Sequence, residues 1–171
     1  FAHPTSMYDT PVERELQQRY LQSNPAHSVE NPNQAKHSEG YAAGGMDYFV
    51  GLCNELDGVF FAPFANGKLG AGVAKEVNSF LEREAPVYEY DRKNGTFREV
   101  ESLGEFSVMS VDETRAAIRH ERADSPYDDL KEYTEFVSAN SVVAVRSSPA
   151  NSKRPTHGPR SGTTHSQGWI G

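Results

Sequence analysis

The run "DGVFFAPF", residues 57–64, most constrains what this chain folds into: from Val59 to Phe64 no polar residue interrupts it. A strand with one wet face alternates apolar and polar residues. A continuous apolar run is instead buried on both faces, as in the interior of a parallel sheet covered by helices. The flanking segments supply those helices. Met46, Phe49, Val50, Cys53 and Leu56 recur at helical spacing upstream, and Val73, Val77, Phe80 and Leu81 do so downstream. "APVYEY", residues 85–90, follows as another strand.

The amino-terminal third repeats the alternation. "FA" at residues 1–2 reads as the tail of a strand whose start lies upstream. Thr10, Pro11 and Glu13 then form a capping box for a helix with Val12, Leu16 and Tyr20 inward, ending near Asn24-Pro25. "HSVENPN", residues 27–33, is predicted to be extended, with proline keeping it out of a helix. Residues 34–45 form a polar, glycine-bearing loop. Through residue 91 the order is strand, helix, strand, helix, strand, helix, strand. That order predicts a single α/β domain, a parallel sheet with helices on both faces.

Beyond Asp91, Asn94-Gly95 marks a turn from which "FREV" returns as a hairpin. Ser110 and Glu113 make a second capping box, opening a helix to about Arg122. Pro126 opens another, "YDDLKEYTEFV", and "SVVAVR" reads as a final strand. The predicted organisation is therefore an α/β domain over 1–146, ending in a helical extension, and a mobile, Pro- and Gly-bearing tail over 147–171.

The 171 residues suit one domain, and the net charge of −7 disfavours a broad nucleic-acid surface. Cys53 is the only cysteine, so no internal disulfide forms; on its apolar stripe it reads as a buried thiol. No apolar run approaches the roughly 20 residues that span a bilayer, and no signal-peptide pattern appears. The expectation is a soluble cytoplasmic protein with no membrane partner. His3, His27 and His37 follow no metal-ligand spacing, and no metal or organic cofactor is expected.

Ligands of open parallel sheets bind beyond the carboxyl ends of the strands. "HPTSMYDT", "NPN" and "PFANGKLGAG" occupy that edge and bring Ser6, Tyr8, Asp9, Asn33, Asn66 and the start of the Glu76 helix toward one crevice. Gly67, Gly70 and Gly72 let a ligand lie against the backbone, and Ser6 with the Thr10 helix start offers a phosphate site. Glu76, in the opening turns of its helix, is expected to be kept ionised by the helix dipole and free amides. An ionised, positioned carboxylate is a suitable nucleophile for retaining glycosyl transfer.

"Gly72-Val-Ala-Lys-Glu76", followed by "PVYEY", resembles the Gly-x-x-x-Glu segment and next strand of the nucleoside 2-deoxyribosyltransferases, whose superfamily also holds nucleotide N-glycosidases. The resemblance covers residues 1–91 and implies a Rossmann-like domain. It implies Glu76 as nucleophile, Tyr8 as the aromatic that orients it, and Asp47, in "GMDYFVGLCNELDGVFF", as the aspartate contacting the base. Ser6, Asn33, Asn66, Gly70 and Gly72 become substrate contacts, and the partner a nucleoside or nucleotide. Sites of this superfamily are often completed by a neighbouring chain, which brings in a homo-oligomer. The chain departs from the pattern at Gly70-Ala71-Gly72, where the family has Asp-x-Gly, and at Glu76-Val77-Asn78, where it has Glu-x-Gly. Two alternatives stay open: a phosphoribohydrolase with a glycine-rich loop, and a nucleotide-binding or signalling module of the same fold without chemistry.

Overall fold

The computed structural model describes residues 1–135. In it the run around Phe60 lies inside a sheet covered on both faces. β1 (Val59–Phe61) pairs in parallel with β2 (Val87–Asp91), setting Val59 opposite Val87 and Phe61 opposite Glu89. β2 pairs antiparallel with β3 (Thr96–Glu99). The predicted hairpin turn closes there: Gly95 takes φ +67, a value that favours glycine, and its N–H donates to Asp91 O at 2.8 Å.

On the far side of β1, Ala2 forms an isolated parallel bridge with Phe61; its N–H donates to Phe60 O at 3.0 Å, and its carbonyl accepts from Ala62 N at 3.1 Å. Next to it, Phe1 N donates to Glu30 O at 2.7 Å. These two contacts stand where the sequence predicts a first and a second strand. Pro4 and Pro32, each without an N–H, stop the ladders from extending. The result is a three-stranded mixed sheet, ordered β1-β2-β3 and flanked by helices.

The helical stripes dock as their spacing requires. On one face, Val12, Leu16 and Tyr20 of α1 (Pro11–Ser23) cluster with Phe60 and Tyr90 and with Tyr127, Leu130 and Tyr133 from the carboxyl side. Phe60 lies flat between Tyr20 and Phe1, with ring centroids 4.1 and 4.3 Å away. On the other face, Cys53 of α3 (Met46–Cys53) and Val73, Val77 and Phe80 of α4 (Ala71–Leu81) pack on Val59, Phe61 and Val87. Each large apolar side chain buried this way contributes about 1.5–3 kcal/mol. α5 (Val111–Ala123) opens on the predicted capping box: Glu113 N donates to Ser110 Oγ at 3.3 Å, and Ser110 N to Glu113 Oε2 at 2.8 Å.

Three local expectations are corrected. The loop at 34–45 contains a single 3-10 turn, Ala35–His37, and a short helix, α2 (Ser38–Gly44). α2 buries none of its residues, so it had no apolar stripe to reveal it. The capping box at Thr10 is half formed. Glu13 N donates to Thr10 Oγ1 at 3.3 Å, but the Glu13 carboxylate reaches Asp9 N rather than Thr10 N. The last described helix runs from residue 130, not from Pro126, because Asp129 Oδ1 accepts from Lys131 N at 2.7 Å and Glu132 N at 3.2 Å and so caps it. The rest of that helix, the strand "SVVAVR" and the tail over 147–171 lie outside the described residues. Among the described residues no helix is long and apolar enough to cross a membrane.

Candidate functional site

α4 begins at Ala71, so Glu76 is its sixth residue, beyond the first turn where free amides and the dipole act. Its half-buried carboxylate faces a cavity of about 30 Å³, room for about one water molecule. Phe1, Ala2 and Val59 of the sheet side line this cavity with Pro32, Phe49, Cys53 and Phe80. Burial pushes the Glu76 carboxyl up to about 7. The expectation of a carboxylate held ionised by the helix start is thus corrected: desolvation by apolar walls outweighs a dipole more than a turn away. The same surroundings raise the Cys53 thiol, first through burial and then through the Glu76 charge.

Tyr8 feels the Glu76 charge, but no hydrogen bond joins the two among the described residues. Burial and then the Glu76 charge, ahead of Glu13 and Tyr41, raise its hydroxyl above the ordinary value. Its ring sits 5.1 Å from that of His3, tilted by 55°. The cavity itself opens under the α3–α4 face of the sheet, toward Gly58 and Val59 at the amino end of β1, and Tyr8 is not among its walls.

Asp47 is elsewhere. Its side chain is 85% exposed and paired with Lys75 Nζ at 2.5 Å, which holds its carboxyl below the ordinary value. Because Lys75 precedes Glu76, this ion pair sits on the outer side of the same helix turn.

The predicted substrate contacts are largely engaged within the protein. Ser6 is buried and donates through Oγ to Glu121 Oε2 at 2.6 Å. Asn33 Nδ2 donates to Asp9 Oδ1 at 3.0 Å and Glu13 Oε2 at 3.3 Å. Asn66 Oδ1 accepts from Lys68 N at 2.9 Å, turning the loop after β1. A Cβ on Gly70 would come within 2.8 Å of Phe64 Cε2 and 3.1 Å of Thr114 Cγ2, and one on Gly72 within 3.2 Å of Met46 Sδ. Those two glycines therefore admit the chain's own side chains. Ala71 N, at the helix start, donates to Thr114 Oγ1 at 2.9 Å. The three histidines meet separate partners: His3 binds Glu13, His27 binds Tyr20, and His37 binds Glu30 and Tyr48.

Two buried polar clusters were not read from the sequence. One joins Glu13 to His3, Asp9, Asn31 and Asn33; the other joins Glu121 to Ser6, Ala65 and Tyr127. Glu13 showed only its capping signal and Glu121 only a charged helix. No protein-family model, curated protein or solved structure matches the chain.

Proposed function

We propose that the chain cleaves or transfers at the N-glycosidic bond of a nucleoside or nucleotide, with Glu76 as nucleophile. The observation that carries this reading is Glu76 itself: a half-buried carboxylate facing a cavity, titrating near neutrality, with a charge that Tyr8 feels. A group poised near pH 7 is ionised in about half the molecules and so is available to attack. Its carboxylate oxygen forms a bond to the anomeric carbon from the face opposite the base. The C–N bonding pair leaves with the base, which takes up a proton. Water or a second base then displaces Glu76 from the ribosyl ester, giving net retention over two displacements.

In this scheme Tyr8 orients Glu76. Asp47 holds or protonates the departing base only after leaving Lys75 and turning inward. A nucleoside exceeds a cavity of about 30 Å³, so binding requires opening. The exposed Asp47–Lys75 pair favours, as a second reading, a nucleotide-binding module of the same fold without turnover.

Incubation with a panel of nucleosides and nucleotides, followed by quantification of free base, separates the two. Glu76→Gln is expected to lower base release by at least ~100-fold, the scale of losing a catalytic group. Unchanged turnover in that variant removes the covalent mechanism. Ligand binding without any base release leaves the binding module.

A further inference from the structure

We propose that Glu13 is a positioning residue that holds Tyr8 and the Pro32 wall of the Glu76 cavity in register; what they are held for rests on the glycosidic reading above. Glu13 is 3% exposed, and its carboxylate receives four donors from three segments of chain. Oε1 accepts from His3 Nε2 at 2.9 Å and Asn31 Nδ2 at 3.0 Å; Oε2 accepts from Asp9 N at 2.7 Å and Asn33 Nδ2 at 3.3 Å. Two donors on each oxygen use the acceptor capacity of a carboxylate. Glu13 has none left for a substrate, which makes it a positioning group and not a catalytic one.

Each donor belongs to a part of the site. Asp9 follows Tyr8 and sits at φ +63, a conformation uncommon outside glycine that persists only where its surroundings hold it. Asn31 and Asn33 bracket Pro32, which lines the cavity. His3 stacks on Phe1, another cavity wall, with centroids 4.0 Å apart, and its ring also lies 5.1 Å from that of Tyr8. Burial alone would raise the Glu13 carboxyl, but hydrogen bonds from His3 and Asn31 bring it below its ordinary value, so the acceptor is ionised at neutral pH. Removing it loosens Tyr8 and Pro32 together, because the direct hydrogen bond between their segments, from Asn33 Nδ2 to Asp9 Oδ1 at 3.0 Å, joins two residues that Glu13 itself holds.

Cys53, the only cysteine, lines the same cavity and reports on its closure. The experiment measures the rate of Cys53 alkylation by iodoacetamide in wild type, Glu13→Ala and Tyr127→Phe. Tyr127→Phe removes one hydrogen bond from the Glu121 cluster and leaves the four donors of Glu13 in place, and urea brings its stability to that of Glu13→Ala. Alkylation at least ~10-fold faster in Glu13→Ala than in both other samples is the expected result, since local opening and not global unfolding exposes the thiol. Equal rates in Glu13→Ala and wild type overturn the proposal, as do equal rates in Glu13→Ala and stability-matched Tyr127→Phe. If Glu13→Ala does not fold, Glu13→Asp takes its place: too short to reach all four donors, it is expected to show the same contrast. Free-base release is scored separately. A wild-type protein inert toward every nucleoside and nucleotide removes the glycosidic reading, while the thiol rates still decide whether Glu13 holds the walls.

Discussion

At Glu76 two electrostatic effects compete, and their ranges decide between them. The influence of a helix start fades within its first turn, whereas an apolar cavity acts on whatever charge faces it. Burial wins, and the carboxyl rises from an ordinary 4.5 to about 7. The sign of the consequence follows. A carboxyl whose folded value lies above its unfolded one favours folding fully below about 4.5, and that contribution is lost as pH rises through about 7. Glu76→Gln, which carries no charge at any pH, is therefore expected to match wild type in melting temperature at pH 4.5 and exceed it at pH 8. The difference is bounded above by about 3 kcal/mol; partial exposure of the residue lowers it. Thermal melts of both proteins across this range check the expectation, and parallel curves would mean that Glu76 is solvated. None of this was legible at the residue itself. "Lys-Glu" on a helix looks the same whether the glutamate faces water or a cavity, and the walls come from residues 1, 32, 49 and 59.

Among the elements, α4 illustrates how a local signal is read correctly and assigned the wrong cause. Glycines ahead of a helix do mark a close approach to the backbone. At Gly70, however, the approaching groups are Phe64 and Thr114, and at Gly72 the Met46 side chain of α3. Gly70→Ala is expected to destabilise the fold by about 1–3 kcal/mol through overpacking, measured as a shift in the urea midpoint. A variant of unchanged stability with weakened nucleotide binding would restore the ligand-contact role. The two capping boxes make the same point from the other side. Ser110 and Glu113 close on each other because, among the described residues, no other donor reaches the Glu113 carboxylate, which is exposed on α5. Glu13 has the same spacing from Thr10 but lies buried beside His3, Asn31 and Asn33, and those donors draw it away from the Thr10 amide.

Across the whole molecule, the carboxyl-side segments are fastened to the sheet by two buried polar side chains on either side of Ala65. Glu121, 7% exposed, accepts from Ser6 Oγ at 2.6 Å, Tyr127 Oη at 2.7 Å and Ala65 N at 3.0 Å. Arg92, 5% exposed, donates to Ala65 O at 2.7 Å, and its guanidinium lies 4.7 Å from the centroid of the Tyr133 ring, whose hydroxyl donates to Pro63 O. Removing Glu121 leaves three buried donors, Ser6 Oγ, Tyr127 Oη and Ala65 N, without their acceptor. Glu121→Ala is expected to cost about 3 kcal/mol or more. Urea unfolding monitored by circular dichroism and by tyrosine fluorescence checks this; coincident transitions would show that the carboxyl-side segments unfold together with the sheet.

The sequence by itself determined the parts of this protein whose causes are local. The uninterrupted run at Val59–Phe64 specified a strand buried on both faces, the 3.6-residue stripes specified α1, α3 and α4, and Asn94-Gly95 specified the β2–β3 turn. Each of these follows from side-chain period or backbone freedom within a few neighbouring residues. Only the tertiary structure decided which polar residues face one another. It placed His3 against Glu13, Ser6 against Glu121 and Asp47 against Lys75, pairs separated by 10, 115 and 28 positions. Hydrogen bonds and desolvation act over a few ångströms of space whatever the distance along the chain, so partner identity, and with it the state of Glu76, is set by packing and leaves no periodic trace in the sequence.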